Sequence, residues 1–91
     1  MDHLFLFHSV GSNFCGGVFL TREVAEKWIA KHSLSGVLTS YPVNTGVYDW
    51  AIENHIFTPK KENQFKPEFI GGFNSAAQEH YHYEDGKCLD R

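Results

Sequence analysis

The sequence predicts a small α+β domain, in which two or three short helices pack on a mostly antiparallel sheet. Strand-like segments lie at both ends of the chain, and helical patterns lie between them. Of the 91 residues, 42% are hydrophobic and 15% are aromatic. Since each buried aromatic ring removes roughly 150–250 Å² from water, one core is feasible without disulfide or metal. We therefore expect a single domain over residues 1–91, with residues 86–91 as a flexible tail.

The first 20 residues predict a β-hairpin. Residues 3–8 are apolar on both faces, a pattern typical of a central strand that is covered on both sides. Turn chemistry at Gly11-Ser12-Asn13 and at Gly16-Gly17 separates this strand from a short second strand, Val18-Phe19-Leu20.

A helix is predicted next, from about Arg22 to His32. Thr21 is a suitable N-cap, and Glu23 lies in the first turn, where the helix dipole favours an acidic residue. Apolar and aromatic positions recur at helical spacing on one stripe. The stripe comprises Val24, Ala25, Trp28, Ile29 and His32.

The middle of the chain is predicted to contain a strand, a short helix, a loop and a helical turn. Residues 37–41 favour a strand, and residues 47–55 favour a short helix. Residues 58–66 are polar and carry no periodicity, so we interpret them as an exposed loop. Pro67 suits the first position of a helical turn, which would continue over residues 68–71.

The segment 78–86 predicts a closing strand, which we expect to pair with the amino-terminal strand. Alternation along a strand places successive side chains on opposite faces. One face would carry His80, His82 and Glu84, and the other would carry Tyr81, Tyr83 and Asp85. This surface could recognise a partner, but it is not the signature of any reaction.

Charge and cysteine content restrict the function classes. The formal net charge is −3, from 11 acidic and 8 basic residues, which argues against nucleic-acid binding and suits a neutral or basic protein partner. Cys15 and Cys88 form no metal or disulfide motif. No secretory signal and no membrane-spanning run is visible. We therefore expect a cytoplasmic protein with reduced thiols.

Tyrosine and tryptophan are enriched at protein interfaces, and this chain carries several of them beside charged residues. An alternative is that these rings form the core of an aromatic-rich domain. The candidate partner-binding residues are Tyr81, Tyr83, His80, His82, Glu84, Asp85, Tyr48, Asp49 and Trp50.

Three chemical hypotheses stand beside their structural alternatives. His80, His82 and Glu84 could bind a metal ion, with His8 or His3 of the first strand as a further ligand, or they could be polar residues on a solvated strand. Cys15 could be a nucleophile with a histidine base, or a small turn residue. Asp49 and Glu53 could form an acid–base pair, or a solvated helix face. Because no catalytic motif supports the enzymatic hypotheses, we predict neither a catalytic residue nor a cofactor.

Four segments carry a resemblance to a known family. They are Gly17-Val18-Phe19, Gly36-Val37-Leu38-Thr39-Ser40-Tyr41-Pro42, Gly46-Val47-Tyr48-Asp49-Trp50-Ala51, and the ending from Ser75 to Gly86, which contains Gln78-Glu79-His80-Tyr81-His82-Tyr83-Glu84-Asp85-Gly86. Over about residues 4 to 86, the chain resembles a family of short bacterial domains of unknown function. The resemblance implies no catalytic residues.

In size and acidity, the chain also resembles, as a class, the immunity proteins of bacterial contact-dependent competition systems. The leading hypothesis is therefore a non-enzymatic protein-binding module, most concretely an immunity-type protein that binds and blocks a toxin domain, with a basic toxin as the partner. A small metal-binding protein and a regulatory adaptor domain are the alternatives.

Overall fold

The computed structural model describes residues 2–90, which form a five-stranded antiparallel sheet with the strand order β2-β1-β3-β4-β5. The strands are β1 His3–Ser9, β2 Gly17–Phe19, β3 Gly36–Pro42, β4 His80–Glu84 and β5 Lys87–Cys88. The helices are α1 Arg22–Lys31, α2 Val47–Glu53 and α3 Pro67–Gly71, with a short 3₁₀ turn at Glu62–Phe65. This architecture confirms the predicted α+β class.

The predicted hairpin is formed by β1 and β2, in the register Phe5↔Phe19 and Phe7↔Gly17. The chain then enters α1, whose first turn is capped as predicted. The Thr21 hydroxyl oxygen accepts a hydrogen bond from the Val24 backbone N–H at 3.2 Å. Local chemistry alone thus determines where this helix begins.

Only part of the apolar stripe of α1 is covered by the sheet. Ala25 and Ile29 are fully buried, and Trp28 packs beside them. Val24, by contrast, is 55% exposed, and His32 is the exposed C-cap. The stripe is therefore narrower than helical periodicity predicts, because the small sheet covers little more than one row of the helix.

The prediction that the closing strand pairs with the amino-terminal strand is wrong. Both edges of β1 are already occupied, since β2 lies on one side and β3 pairs along all seven of its residues on the other. The closing strand β4 pairs with β3 instead, from Gly36↔Tyr83 to Thr39↔His80. As a result, β3 separates β4 from β1.

The segment expected to be a tail continues the sheet instead. Asp85 and Gly86 have φ angles of +50° and +82°, and two consecutive residues with positive φ form the tight turn that suits a two-residue hairpin. Lys87–Cys88 returns as β5, with the register Glu84↔Lys87. Residue 91, the end of the predicted tail, lies outside the described residues.

The domain has two apolar clusters. The main core lies between α1 and one face of the sheet, where Phe7, Leu38 and Tyr83 meet Ala25 and Ile29. A second, aromatic cluster lies beside α2 and α3, with neighbouring ring centroids 4.7–6.2 Å apart. Its members are Tyr48, Phe57, Phe69 and Phe73. Two clusters explain the elongated shape, 44 × 28 × 22 Å.

The polar segment 58–66 is not a featureless loop. It contains the 3₁₀ turn Glu62–Phe65, and the Gln64 carbonyl accepts a hydrogen bond of 2.8 Å from the Tyr48 hydroxyl. The Gln64 side chain also accepts from the Lys60 and Lys61 backbone N–H groups, at 2.8 and 3.1 Å. The Tyr48 bond attaches the segment to the aromatic cluster, and the two bonds to the Gln64 side chain hold the segment in its turn. Sequence periodicity does not reveal them, because each is a single side-chain contact.

Candidate functional site: the open face of the sheet

The two faces of the sheet differ in what covers them. One face packs on α1 and forms the core. On the other, which we call the open face, every described residue is at least partly exposed. Its members follow from strand alternation and the cross-strand register. They are Leu4, Leu6 and His8 of β1, Val18 of β2, Val37, Thr39 and Tyr41 of β3, and His80, His82 and Glu84 of β4.

The open face keeps apolar side chains where an antiparallel sheet facing water normally carries polar ones. Leu4, Leu6 and Val37 are only partly buried, and Val18 is 55% exposed. The apolar pattern of β1 predicts a strand covered on both sides, and the structure corrects this prediction. The strand is central, but only its core face is covered by a helix. A contiguous, partly exposed apolar surface is typical of an interaction site.

A groove of about 430 Å³ crosses this face. Its floor is formed by Val37, Thr39 and Tyr41 of β3. His8 lies along one side and His80 along another, and a loop closes the remaining side. The loop residues that line the groove are Asn74, Ser75 and Ala76. The groove thus combines the apolar surfaces of Val37 and the Tyr41 ring with hydroxyl, amide and imidazole groups that can form hydrogen bonds.

Gln78 holds this loop against the sheet. Its side chain is 3% exposed, and its Nε2 donates to the Ser40 carbonyl at 3.0 Å. Its Oε1 accepts from the Ser75 backbone N–H at 2.9 Å. One buried amide therefore satisfies a donor and an acceptor from two segments, which fixes the wall of the groove.

Replacing Gln78 with glutamate tests this role, since the two side chains have nearly the same shape. An ionised carboxylate still accepts from Ser75 but has no hydrogen to donate to Ser40. We expect the free energy of unfolding to fall by roughly 2–3 kcal/mol at neutral pH. Urea denaturation measures this loss.

A suitable control for that experiment is Glu53→Gln, which makes the reverse change at an exposed position of α2. We expect this variant to retain wild-type stability within about 0.5 kcal/mol. Equal effects of the two substitutions would show that Gln78 does not anchor the loop.

Tyr41 lies on the open face, and its hydroxyl interacts electrostatically with the Cys15 thiol of the loop before β2. Burial raises the pKa of the Tyr41 hydroxyl above its usual value, and the nearby Cys15 thiol makes a smaller contribution in the same direction. Cys15 is a free, partly buried thiol. Among the hydrogen bonds of residues 2–90, none joins Cys15 to a histidine. No hydrogen bond in the described part of the chain therefore supports the nucleophile hypothesis.

His80 and His82 lie side by side on the open face, as strand alternation predicts. Their ring centroids are 5.3 Å apart, and the rings are nearly perpendicular at 82°. His8 belongs to the same cross-strand row as His82, but Val37 of β3 stands between them. In the described part of the chain, no group of three or more histidine, cysteine, aspartate or glutamate side chains is placed to hold a metal ion.

Tyr81 and Tyr83 lie on the opposite, core face of β4. The Arg22 guanidinium stacks over the Tyr81 ring, 3.5 Å from its centroid. The Tyr83 hydroxyl donates to Glu26 Oε2 at 2.6 Å, and that carboxylate also pairs with Arg22 at 3.1 Å. Burial, with the hydrogen bond to Glu26, raises the pKa of Tyr83. Tyr83 is only 4% exposed, so this ring joins helix to sheet and offers no surface to a partner.

The candidate residues on α2 do not extend the open face. Tyr48 is buried in the aromatic cluster, whereas Asp49 and Glu53 are exposed. Trp50 contacts the His3 ring edge-on, with centroids 6.3 Å apart. Trp50 also lines a separate cleft of about 350 Å³ that includes core-face residues. The structure therefore places the candidate partner-binding residues at two separate locations, one on β4 and the turn after it, the other on α2.

A family model described as a domain of unknown function, DUF7710, matches residues 4–89. The chain belongs to the DUF7710 family. This membership confirms the resemblance to a family of short domains of unknown function, and the description states no activity. No curated protein and no solved structure matches the chain.

The remaining candidate partner-binding residues of this DUF7710 domain lie at the corner formed by β4 and β5. Glu84 and Asp85 are exposed there. Asp90 accepts from the His82 backbone N–H, and this bond lowers the pKa of the Asp90 carboxyl, with a further contribution from the His82 ring. The corner is therefore acidic.

Within residues 2–90, none of the helices combines the length and the apolar character needed to cross a membrane.

Sequence reasoning missed the apolar part of the site in this DUF7710 domain. Leu4, Leu6 and Val37 were assignable to a strand, but their alternation does not say which face a helix covers. The available signal was the apolar character of both faces of β1, combined with the scarcity of helix residues to cover them. Three helices of 10, 7 and 5 residues are too short to cover both faces of five strands.

Proposed function

We propose that this domain is a non-enzymatic protein-binding module that receives its partner on the open face of the sheet. One observation supports the proposal above the others: every open-face residue is at least partly exposed, although the face carries leucine, valine and tyrosine side chains. Such a surface gains free energy when a partner removes it from water, by about 25 cal/mol for each Å² of apolar area.

The groove supports a protein partner in particular. Its floor is β3, and its walls are the His8 and His80 side chains and the loop that Gln78 anchors. Hydroxyl, amide and imidazole groups in the groove can form hydrogen bonds with the backbone of an inserted loop, while the side chains of that loop contact Val37 and the Tyr41 ring. The rigid attachment of the loop lowers the entropy cost of binding.

The more specific form of the proposal is an immunity-type protein that binds and blocks a basic toxin domain. The net charge of −3 supports it, and so does the acidic corner beside the open face. Glu84, Asp85 and Asp90 gather there, with Lys87 as the cation opposite Glu84. Carboxylates at the rim of an interface steer a basic partner and set the association rate.

A charge placed in the groove tests the site. Thr39 lies on the groove floor between Leu6 and His80 in the cross-strand rows. In Thr39→Arg, the long cationic side chain occupies the groove and would be buried unpaired by a partner. We expect the affinity for the partner to fall at least tenfold. The measurement is co-expression with the product of the adjacent gene, followed by co-purification and calorimetric titration.

Thr58→Arg is the matched control, because it makes the same chemical change at an exposed position outside the sheet. This variant should retain the wild-type affinity, and both variants should show wild-type circular dichroism. Equal binding by Thr39→Arg and Thr58→Arg would exclude the groove as the docking site. If the adjacent gene product does not bind the wild-type domain, the immunity-type form of the proposal is wrong.

A further inference from the structure

The hydrogen bond of His80 determines which of its ring nitrogens carries the proton. His80 Nδ1 lies 2.7 Å from the carbonyl oxygen of Gln78. A carbonyl oxygen only accepts hydrogen bonds, so Nδ1 is the donor. In the neutral ring, Nε2 is then left with a lone pair. The backbone of the preceding loop thereby holds the ring in one tautomer and one orientation.

His82 is held in the same way by a different acceptor. Its Nδ1 lies 3.2 and 3.3 Å from the two carboxylate oxygens of Asp90. A carboxylate oxygen only accepts hydrogen bonds, so Nδ1 of His82 is again the donor. Nε2 of His82 is consequently the second imidazole nitrogen with a lone pair.

Imidazoles that bind a metal ion almost always donate their other ring N–H to a carbonyl or a carboxylate, which orients the ring and strengthens the ligand. His80 and His82 both show this arrangement, one with each type of acceptor. The two acceptors belong to separate segments, the loop before β4 and the residues after β5. Neither contact is needed for strand pairing between β3 and β4, which the backbone provides.

The separation of the two rings also suits one ion. With Zn–N bonds of about 2.0–2.1 Å and tetrahedral angles, two imidazoles on one ion have centroids about 5 Å apart. The observed separation is 5.3 Å, with the rings nearly perpendicular. Both rings lie on the open face, where His82 is exposed and His80 is partly exposed, so an ion can reach them from solvent.

We propose that His80 and His82 form a two-histidine binding site for a divalent transition-metal ion, with Zn²⁺ as the reference ion. Imidazole nitrogen suits Zn²⁺, Ni²⁺ and Cu²⁺ rather than Mg²⁺ or Ca²⁺. Residues 2–90 offer no group of three ligating side chains here, so water completes the coordination sphere. The site therefore binds more weakly than a four-ligand structural zinc site and is not required for folding.

Asp90 acts on this site as a positioning residue, because it touches the ring of His82 and not the ion. Loss of such a partner typically lowers metal affinity by 10–100-fold. His8 gives the sharpest comparison, since it is a histidine on the same face and in the same row as His82, with Val37 between them. The proposal requires that His8 contribute nothing.

The experiment is a titration of full-length, untagged protein with ZnCl₂, followed by calorimetry and by NMR of the imidazole resonances. We expect one ion per chain, with the Nε2 and Hε1 signals of His80 and His82 shifting together. His80→Gln and His82→Gln should each weaken binding at least tenfold. Asp90→Asn should weaken it by 10–100-fold, whereas His8→Gln should leave it unchanged.

Three results would overturn the proposal. They are an absence of saturable Zn²⁺ binding, binding that survives both His80→Gln and His82→Gln, and an equal loss of affinity in His8→Gln. Because His82→Gln could also loosen the contact with Asp90, His80→Gln provides the independent test, since the hydrogen bond of the His80 ring goes to the Gln78 carbonyl. This site does not depend on the protein-binding proposal, because Zn²⁺ alone is the probe.

Discussion

The Gly36→Ala substitution is expected to destabilise the domain by more than about 4 kcal/mol, enough to unfold a small protein. A Cβ atom at Gly36 would clash with the His8 carbonyl oxygen and would lie 2.9 Å from the Ser9 Cα. It would also lie 2.8 Å from the Phe7 ring. Two of these neighbours are backbone atoms of the adjacent strand, so relief requires β1 and β3 to separate.

The position explains the size of the effect. Gly36 pairs with Ser9 on one side and with Tyr83 on the other. A shift of β3 at this point therefore disturbs both of its neighbours, including the ladder that holds β4. We expect the loss to appear in every structural probe together, because the sheet is one cooperative unit.

Urea denaturation followed by circular dichroism measures the loss, and an NMR spectrum reports whether a folded state remains. Gly71→Ala is the control, because a Cβ there meets nothing within 4 Å. That variant should keep its free energy of unfolding within about 1 kcal/mol of the wild-type value. Wild-type stability in Gly36→Ala would contradict the close approach of β1 to β3.

The second large effect is expected at Leu38, the central residue of the core. Leu38 belongs to β3, and its side chain is fully buried where the sheet packs on α1. Leu38→Ala should lower the free energy of unfolding by about 2–5 kcal/mol, through lost burial and the cavity that remains. Val37→Ala, at the next residue and on the open face, should cost only about 1 kcal/mol, because Val37 is partly exposed already.

The comparison of these two neighbours tests the assignment of the faces. Both substitutions shorten an apolar side chain in the same strand, so differences in strand propensity are small beside the difference in burial. Chemical denaturation of both variants provides the measurement. If Val37→Ala cost as much as Leu38→Ala, the open face would be a packed interior, and the surface proposed for partner binding would not exist.

Local features of the fold were predictable because local chemistry produces them. The start of α1 follows from the Thr21 cap, and α3 begins at Pro67. The separation of His80 and His82 from Tyr81 and Tyr83 follows from the two-residue period of a strand. Each of these depends on neighbours within about four residues, so each can be inferred without the rest of the chain.

The closing hairpin was predictable in principle. Asp85-Gly86, with Glu84 before it and Lys87 after it, is a strong signal for a two-residue turn. The prediction of a tail from Gly86 overlooked this signal, because β5 is only two residues long and has no apolar alternation of its own. A strand as short as β5 forms because it pairs with β4.

The sequence by itself determined the α+β class, the position of α1, the β-structure of the segment around His80 to Glu84, and which of its side chains share a face. Only the tertiary structure decided that β3 separates β4 from β1, and that α1 covers the tyrosines and leaves the histidines exposed. The physical reason is that alternation sets the two faces of a strand equally. Which face is buried depends on where a distant helix packs, and that is a property of the whole chain.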